Sequence, residues 1–231
     1  MLWQVQKGLI AGRAALDAAA GGGGLFSLAW LTSATDSSST NPVTYAGLSF
    51  GAADTDRIIA VYIASRQTTV NTITGVTIGG VSATAVTGTA AQVNGTNGAC
   101  CQIWQAAVPT GTSGNVVVTY GAAPTRSVVS LYRIITVTPT ATSGNSDSQT
   151  TLTSVGTAVT VPSGGGAIAG AAEQANTNTF TWSNATQDVQ GAIAGSQQYT
   201  TATVTGTGSI TPNANDGAIV PMVFSTAAWG P

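Results

Sequence analysis

Short apolar runs separated by glycine- and asparagine-rich turns govern this chain, and their order repeats. Arg57-Ile-Ile-Ala-Val-Tyr-Ile63 opens one set and Ser127-Val-Val-Ser-Leu-Tyr-Arg-Ile134 closes it. Gly166-Ala-Ile-Ala-Gly170 opens a second set and Gly217-Ala-Ile-Val-Pro-Met-Val-Phe224 closes that one. Between them, Val76–Val81 corresponds to Phe180-Thr-Trp182, and Gln102–Val108 to Gln198–Val204. Turn signals stand at Gly51–Asp54, Gly79-Gly80, Asn94–Gly98, Gly111–Asn115, Gly121–Pro124, Ser143–Asp147, Ser163–Gly165, Gly206–Gly208 and Asn213–Gly217. Strands punctuated this often predict an all-β sandwich or barrel. Ile58–Ile63 is apolar without interruption, which suits a central strand.

The expected architecture is therefore all-β. It is a two-sheet, jelly-roll-like β-sandwich over 25–231 built of two related halves, 25–135 and 155–231; the alternative is two immunoglobulin-like domains. Residues 136–154 are either a linker between domains or a crossing strand and loop within one.

The N-terminus differs in kind. Gly8–Ala20 is alanine-rich, places Arg13 and Asp17 on one helical face at i, i+4, and stops at Gly21-Gly22-Gly23-Gly24. A helix this short is marginal alone in water. With Leu2, Trp3, Leu9, Ile10 and Leu16 it needs an apolar partner. Packing on its own domain, or remaining a disordered tail, is one reading. The reading adopted is a docking arm over 1–24, carried by those five residues and hinged at Gly21–Gly24, because a flexible tether serves an arm that reaches elsewhere. Arg13 and Asp17 interrupt the apolar stretch and argue against a signal peptide.

Composition narrows the function classes. Only 6% of residues are charged, against roughly 25% in an ordinary soluble domain. Such a surface resists self-association weakly, which fits a subunit of an assembly or a hydroxyl-rich extracellular β protein. The net charge of −2 and scattered arginines give no phosphate-binding patch, so no nucleic-acid partner is expected. No apolar run reaches about 18 residues, so no membrane-spanning helix is expected. Cys100 and Cys101 are neighbours and point to opposite faces of a strand, one inward and one outward, with an intermolecular disulfide through the outer thiol as one option.

The chain has no histidine, which removes Ser-His-Asp triads, Cys-His pairs and histidine-held metals. Its one glutamate, Glu173, could pair with Asp188 or Asp147 as glycosidase carboxylates, but such a pair also arises by chance. Asp54-Thr-Asp56 reads as a turn before a strand rather than a Ca²⁺ site. Arg57 is expected to pair with these aspartates or across a subunit boundary. No catalytic residue, metal site or cofactor is assigned. Trp104 and Trp182 read as core; Trp229, near the chain end, is the candidate for an exposed glycan contact.

The runs Gly47–Val61 (Gly-Leu-Ser-Phe-Gly-Ala-Ala-Asp-Thr-Asp-Arg-Ile-Ile-Ala-Val), Val76–Thr84 and Ile103–Thr119, with Val161–Gly170 and Phe180–Thr186, resemble a family of tailed-bacteriophage and prophage virion proteins. The resemblance covers roughly residues 45–225 and rests on turn-and-strand patterns without chemistry. It implies a non-enzymatic structural subunit of head decoration, head fibre, collar or tail-appendage type. Such a subunit is made in the host cytoplasm, released by lysis and partnered by other virion proteins and by copies of itself, in a trimer or other ring. A glycan-binding adhesion module recognising host-surface carbohydrate is the alternative.

Overall fold

The computed structural model describes residues 26–67, 71–94, 98–174, 178–193 and 197–231. Leu2, Trp3, Leu9, Ile10, Leu16 and the Gly21–Gly24 hinge lie outside them. The described residues are all-β, with every strand pairing antiparallel.

The first half comprises β1 (Ser27–Asp36), β2 (Val43–Ser49), β3 (Arg57–Gln67), β4 (Ile73–Ile78), β5 (Val81–Ser82), β6 (Thr84–Ala85), β7 (Ala91–Val93), β8 (Gly98–Ala107), β9 (Ser113–Tyr120) and β10 (Arg126–Ile135). The second comprises β11 (Ser143–Gln149), β12 (Ser154–Gly156), β13 (Val159–Val161), β14 (Gly166–Glu173), β15 (Thr181–Ser183), β16 (Thr186–Ile193), β17 (Gln197–Val204), β18 (Gly208–Ile210), β19 (Asn213–Asn215) and β20 (Met222–Trp229). Segment 136–154 is thus no free linker: it supplies β11, which pairs with β20.

In the first half one sheet runs β1-β10-β3-β8-β6, with β7 also on β8, and faces a sheet β2-β9-β4-β5. In the second, one sheet runs β11-β20-β14-β17-β16 and faces the small sheets β12-β19-β15 and β13-β18. The orders β1-β10-β3-β8 and β11-β20-β14-β17 correspond strand for strand. The repeat in the sequence therefore returns as a repeat in space, with β3 matching β14, β4 matching β15, β8 matching β17 and β10 matching β20. Boundaries move: Ser143–Asp147 and Asn213–Asn215, expected as turns, fall in β11 and β19, and the closing strand starts at Met222, not Gly217. Gly217 instead sits in a turn at φ +78°, its N–H donating to Asn215 Oδ1 at 2.8 Å.

The expectation of two sheets gives way to four layers, because the larger sheet of each half is buried on both faces. Alternate residues of β3 enter different cores. Ile58, Ala60, Tyr62 and Ala64 meet Ile168, Ala172, Val223, Ala227 and Trp229 of the second half. Ile59, Val61 and Ile63 meet Val76, Ile78, Val116 and Val118 of the first half's outer sheet. In β14, Ala167, Ala169 and Ala171 turn the other way, toward Val155, Phe180 and Ala214. A two-sheet sandwich buries one face of each strand; a continuously apolar strand requires a sheet on either side. The contact between halves is close: a Cβ at Gly170 would overlap the Tyr62 ring, so only glycine lets the two inner sheets approach there.

The inner sheets stack with matched strand directions, since Cys101 meets Ser225 and Gln105 meets Trp229, four residues on in both strands. One end of the molecule therefore holds Phe26, Gly166 and the C-terminal Gly230-Pro231, tied by Thr136 and Thr138. The opposite end holds the exposed Leu152 and Ile219. β1 and β16, the edge strands on one flank, each carry a register shift, a bulge of the kind that discourages edge-to-edge pairing.

Candidate functional site

The aspartates and the glutamate are dispersed. Glu173 is fully buried at the end of β14. Asp188 lies two strands away on β16, where its Oδ2 accepts from Tyr132 Oη and Thr203 Oγ1, both at 2.8 Å. Burial raises the Asp188 carboxyl above its ordinary value, and the two hydroxyl donors partly oppose that. Asp147 holds its own loop, accepting from Gly156 and Ser148 N–H. Both aspartates thus hold hydrogen-bond partners other than Glu173. Asp54 caps its turn, accepting from Asp56 N–H at 2.9 Å, and lies 3.9 Å from Arg133.

Arg57 does not pair with these aspartates. It is 1% exposed and donates to six backbone carbonyls: Val108, Phe50, Gly51, Ala52, Thr110 and Gly111, at 2.6 to 3.3 Å. The sequence predicts pairing by adjacency, but Arg57 is the first residue of a strand covered on both faces, so its side chain turns inward between the 50–52 and 108–111 loops. Desolvation, then the nearby Arg133 guanidinium, lower its pKa.

The thiols also depart from expectation. Both Cys100 and Cys101 are buried, because β8 has a core on each side. Cys100 faces the first half's outer sheet beside Ser65 at 3.2 Å. Cys101 faces the second half beside Ser225 at 2.9 Å. Burial raises the Cys100 thiol and pushes Cys101 up to about 12. Neither is presented to a neighbouring subunit.

Trp229 is 0% exposed, so it cannot be the external glycan contact suggested by its place near the chain end. It lies on β20, which is paired on both edges and covered on both faces. Trp104 is buried, and Trp182 is partly buried against Phe224 with ring centroids 6.1 Å apart. Trp30, on the edge strand β1, is the more exposed aromatic at 37%.

The sequence gives no signal for the groove at the seam between the halves. It has a volume of about 440 Å³ and is lined by Thr84, Ala85, Val86, Thr87, Gln105 and the stretch 140–144. Gln105 is buried, and its Oε1 accepts from the Trp229 indole N–H at 2.7 Å and from Ala141 N–H at 3.2 Å. Two donors on one oxygen fix the amide orientation and leave Nε2 as its donor end. The lining carries hydroxyls, amides and methyl groups and no charge. No protein-family model, curated protein or solved structure matches this chain.

Proposed function

We propose that this protein is a non-enzymatic structural subunit of a bacteriophage particle, attached through residues 1–24 and displaying its β body outward. The observation that carries the reading is the polarity of the body. Phe26, where the arm joins, lies at one end, and Leu152 and Ile219 lie at the other, so an anchored base leaves a free tip. The repeated strand orders support taking each half as a jelly roll, an architecture that closes sheets against one another and suits packed shells. A chain with only 6% charged residues presents a surface suited to burial among neighbours of the same kind in a symmetric array. In this reading Leu2, Trp3, Leu9, Ile10 and Leu16 dock on other virion proteins, with Gly21–Gly24 as the hinge.

The test compares the full chain with residues 25–231, which retain all three hydrophobic cores. The truncated protein should fold, with an unchanged β spectrum, and fail to join particles or form the full-length oligomer. Truncated protein that assembles as the full chain does would overturn the arm's role.

A further inference from the structure

We propose that the seam groove is a binding site for a neutral saccharide, with Gln105 Nε2 as its fixed donor. The inference goes beyond the assembly role and does not depend on it. Small-ligand sites are concave, occur preferentially where two structural units meet, and take their direction from a few placed polar groups. The groove has each feature. Its volume, about 440 Å³, falls within the range of small-ligand pockets. Val86 and Ala141 supply apolar contact, and Thr84, Thr87 and Thr140 supply hydroxyls that both donate and accept.

Gln105 supplies the direction. A glutamine free to flip offers either a donor or an acceptor. Here Trp229 and Ala141 hold the oxygen, so the groove meets N–H only. The complementary ligand brings a carbonyl or hydroxyl oxygen to that N–H and its own hydroxyls to the threonines. An acetamido sugar offers a carbonyl for Nε2 and a methyl for the apolar wall. A charged sugar would meet no counter-charge among the lining residues.

Trp229 lies directly behind Gln105, so occupancy is readable in tryptophan fluorescence. The experiment titrates the full chain with tri-N-acetylchitotriose and with maltotriose, following fluorescence and saturation-transfer NMR, with heparin as the charged control. Saturable binding of either neutral probe is expected, and none of heparin. Gln105→Glu keeps the oxygen that accepts from Trp229 and Ala141 but lacks the N–H donor, and should weaken binding at least tenfold. Ala85→Arg, at an exposed rim position, should block the groove without touching a core, so the proposal stays testable if Gln105→Glu folds poorly. No saturable binding of either neutral probe, or binding unchanged in both variants, overturns it. Either result leaves the solution mass of the full and truncated chains, and hence the assembly reading, undisturbed.

Discussion

Replacing Arg57 with Met tests the structural account most directly. Met keeps an apolar stem and removes every donor from a cage of six carbonyls. The contacts to Val108 and Phe50 are buried; an acceptor left unsatisfied in such a place costs about 1–3 kcal/mol. The other four contacts are only partly buried, and their carbonyls regain water at little cost. Two orphaned acceptors therefore cost about 2–6 kcal/mol. Relief from burying a guanidinium offsets part of this, since a buried charge is itself expensive. The acceptors outlast the substitution while the charge does not, so the net effect is destabilising, by about 3 kcal/mol. In a chain of this size that lowers Tm by about 6–12 °C. Asp54→Asn should cost under about 1 kcal/mol, as expected of a partly exposed pair. The assay is urea unfolding followed by far-UV circular dichroism, at low and high salt. The cage predicts a loss for Arg57→Met that salt barely changes. If Arg57→Met stays within about 1 kcal/mol of the parent, or Asp54→Asn matches it, the carbonyl cage is not what fixes these loops.

Other outcomes follow from the same geometry. Gly170→Ala places a methyl into the Tyr62 ring and should cost about 3 kcal/mol by overpacking, read as a lowered Tm; an unchanged Tm would mean the two halves are not closely packed. Asp188 has a raised carboxyl pKa in the folded state, so between its ordinary and raised values the folded chain binds more protons than the unfolded chain. Its contribution to stability is therefore largest at low pH and falls as pH rises through that window. Asp188→Asn should flatten the dependence of unfolding free energy on pH just above the ordinary aspartate range, and an unaltered slope would remove Asp188 as its source. Neither Cys100 nor Cys101 should react with a thiol reagent in the native state, and both should react in denaturant; a disulfide-linked dimer on a non-reducing gel would contradict their burial.

The sequence by itself determined most of the strand positions, because alternation and turn chemistry are local: glycine and asparagine stop strands, and valine, isoleucine and threonine extend them. Ser143–Asp147 and Asn213–Asn215, expected as turns, nevertheless pair within β11 and β19, because a neighbouring strand is there to receive them. It also determined the repeat, since β3, β4, β8 and β10 carry patterns seen again in β14, β15, β17 and β20, and like patterns fold to like strand orders. The uninterrupted apolar run of β3 marked a central strand. What lay beyond reach was the partner of each face. A strand reports that a side chain is apolar, not whether it meets its own half or the other one, so the four-layer stack emerged only with the tertiary structure. The same ignorance misplaced Trp229 and one thiol of the Cys100–Cys101 pair, assigned a wet side that a second sheet covers. It also sent Arg57 to the adjacent aspartates rather than to the carbonyls of two loops, 50–52 and 108–111, the second more than fifty residues away. The groove was invisible for the same reason. Gln105, Ala141 and Trp229 are far apart along the chain, and only the packing of one half on the other brings their amide, N–H and indole within hydrogen-bonding distance.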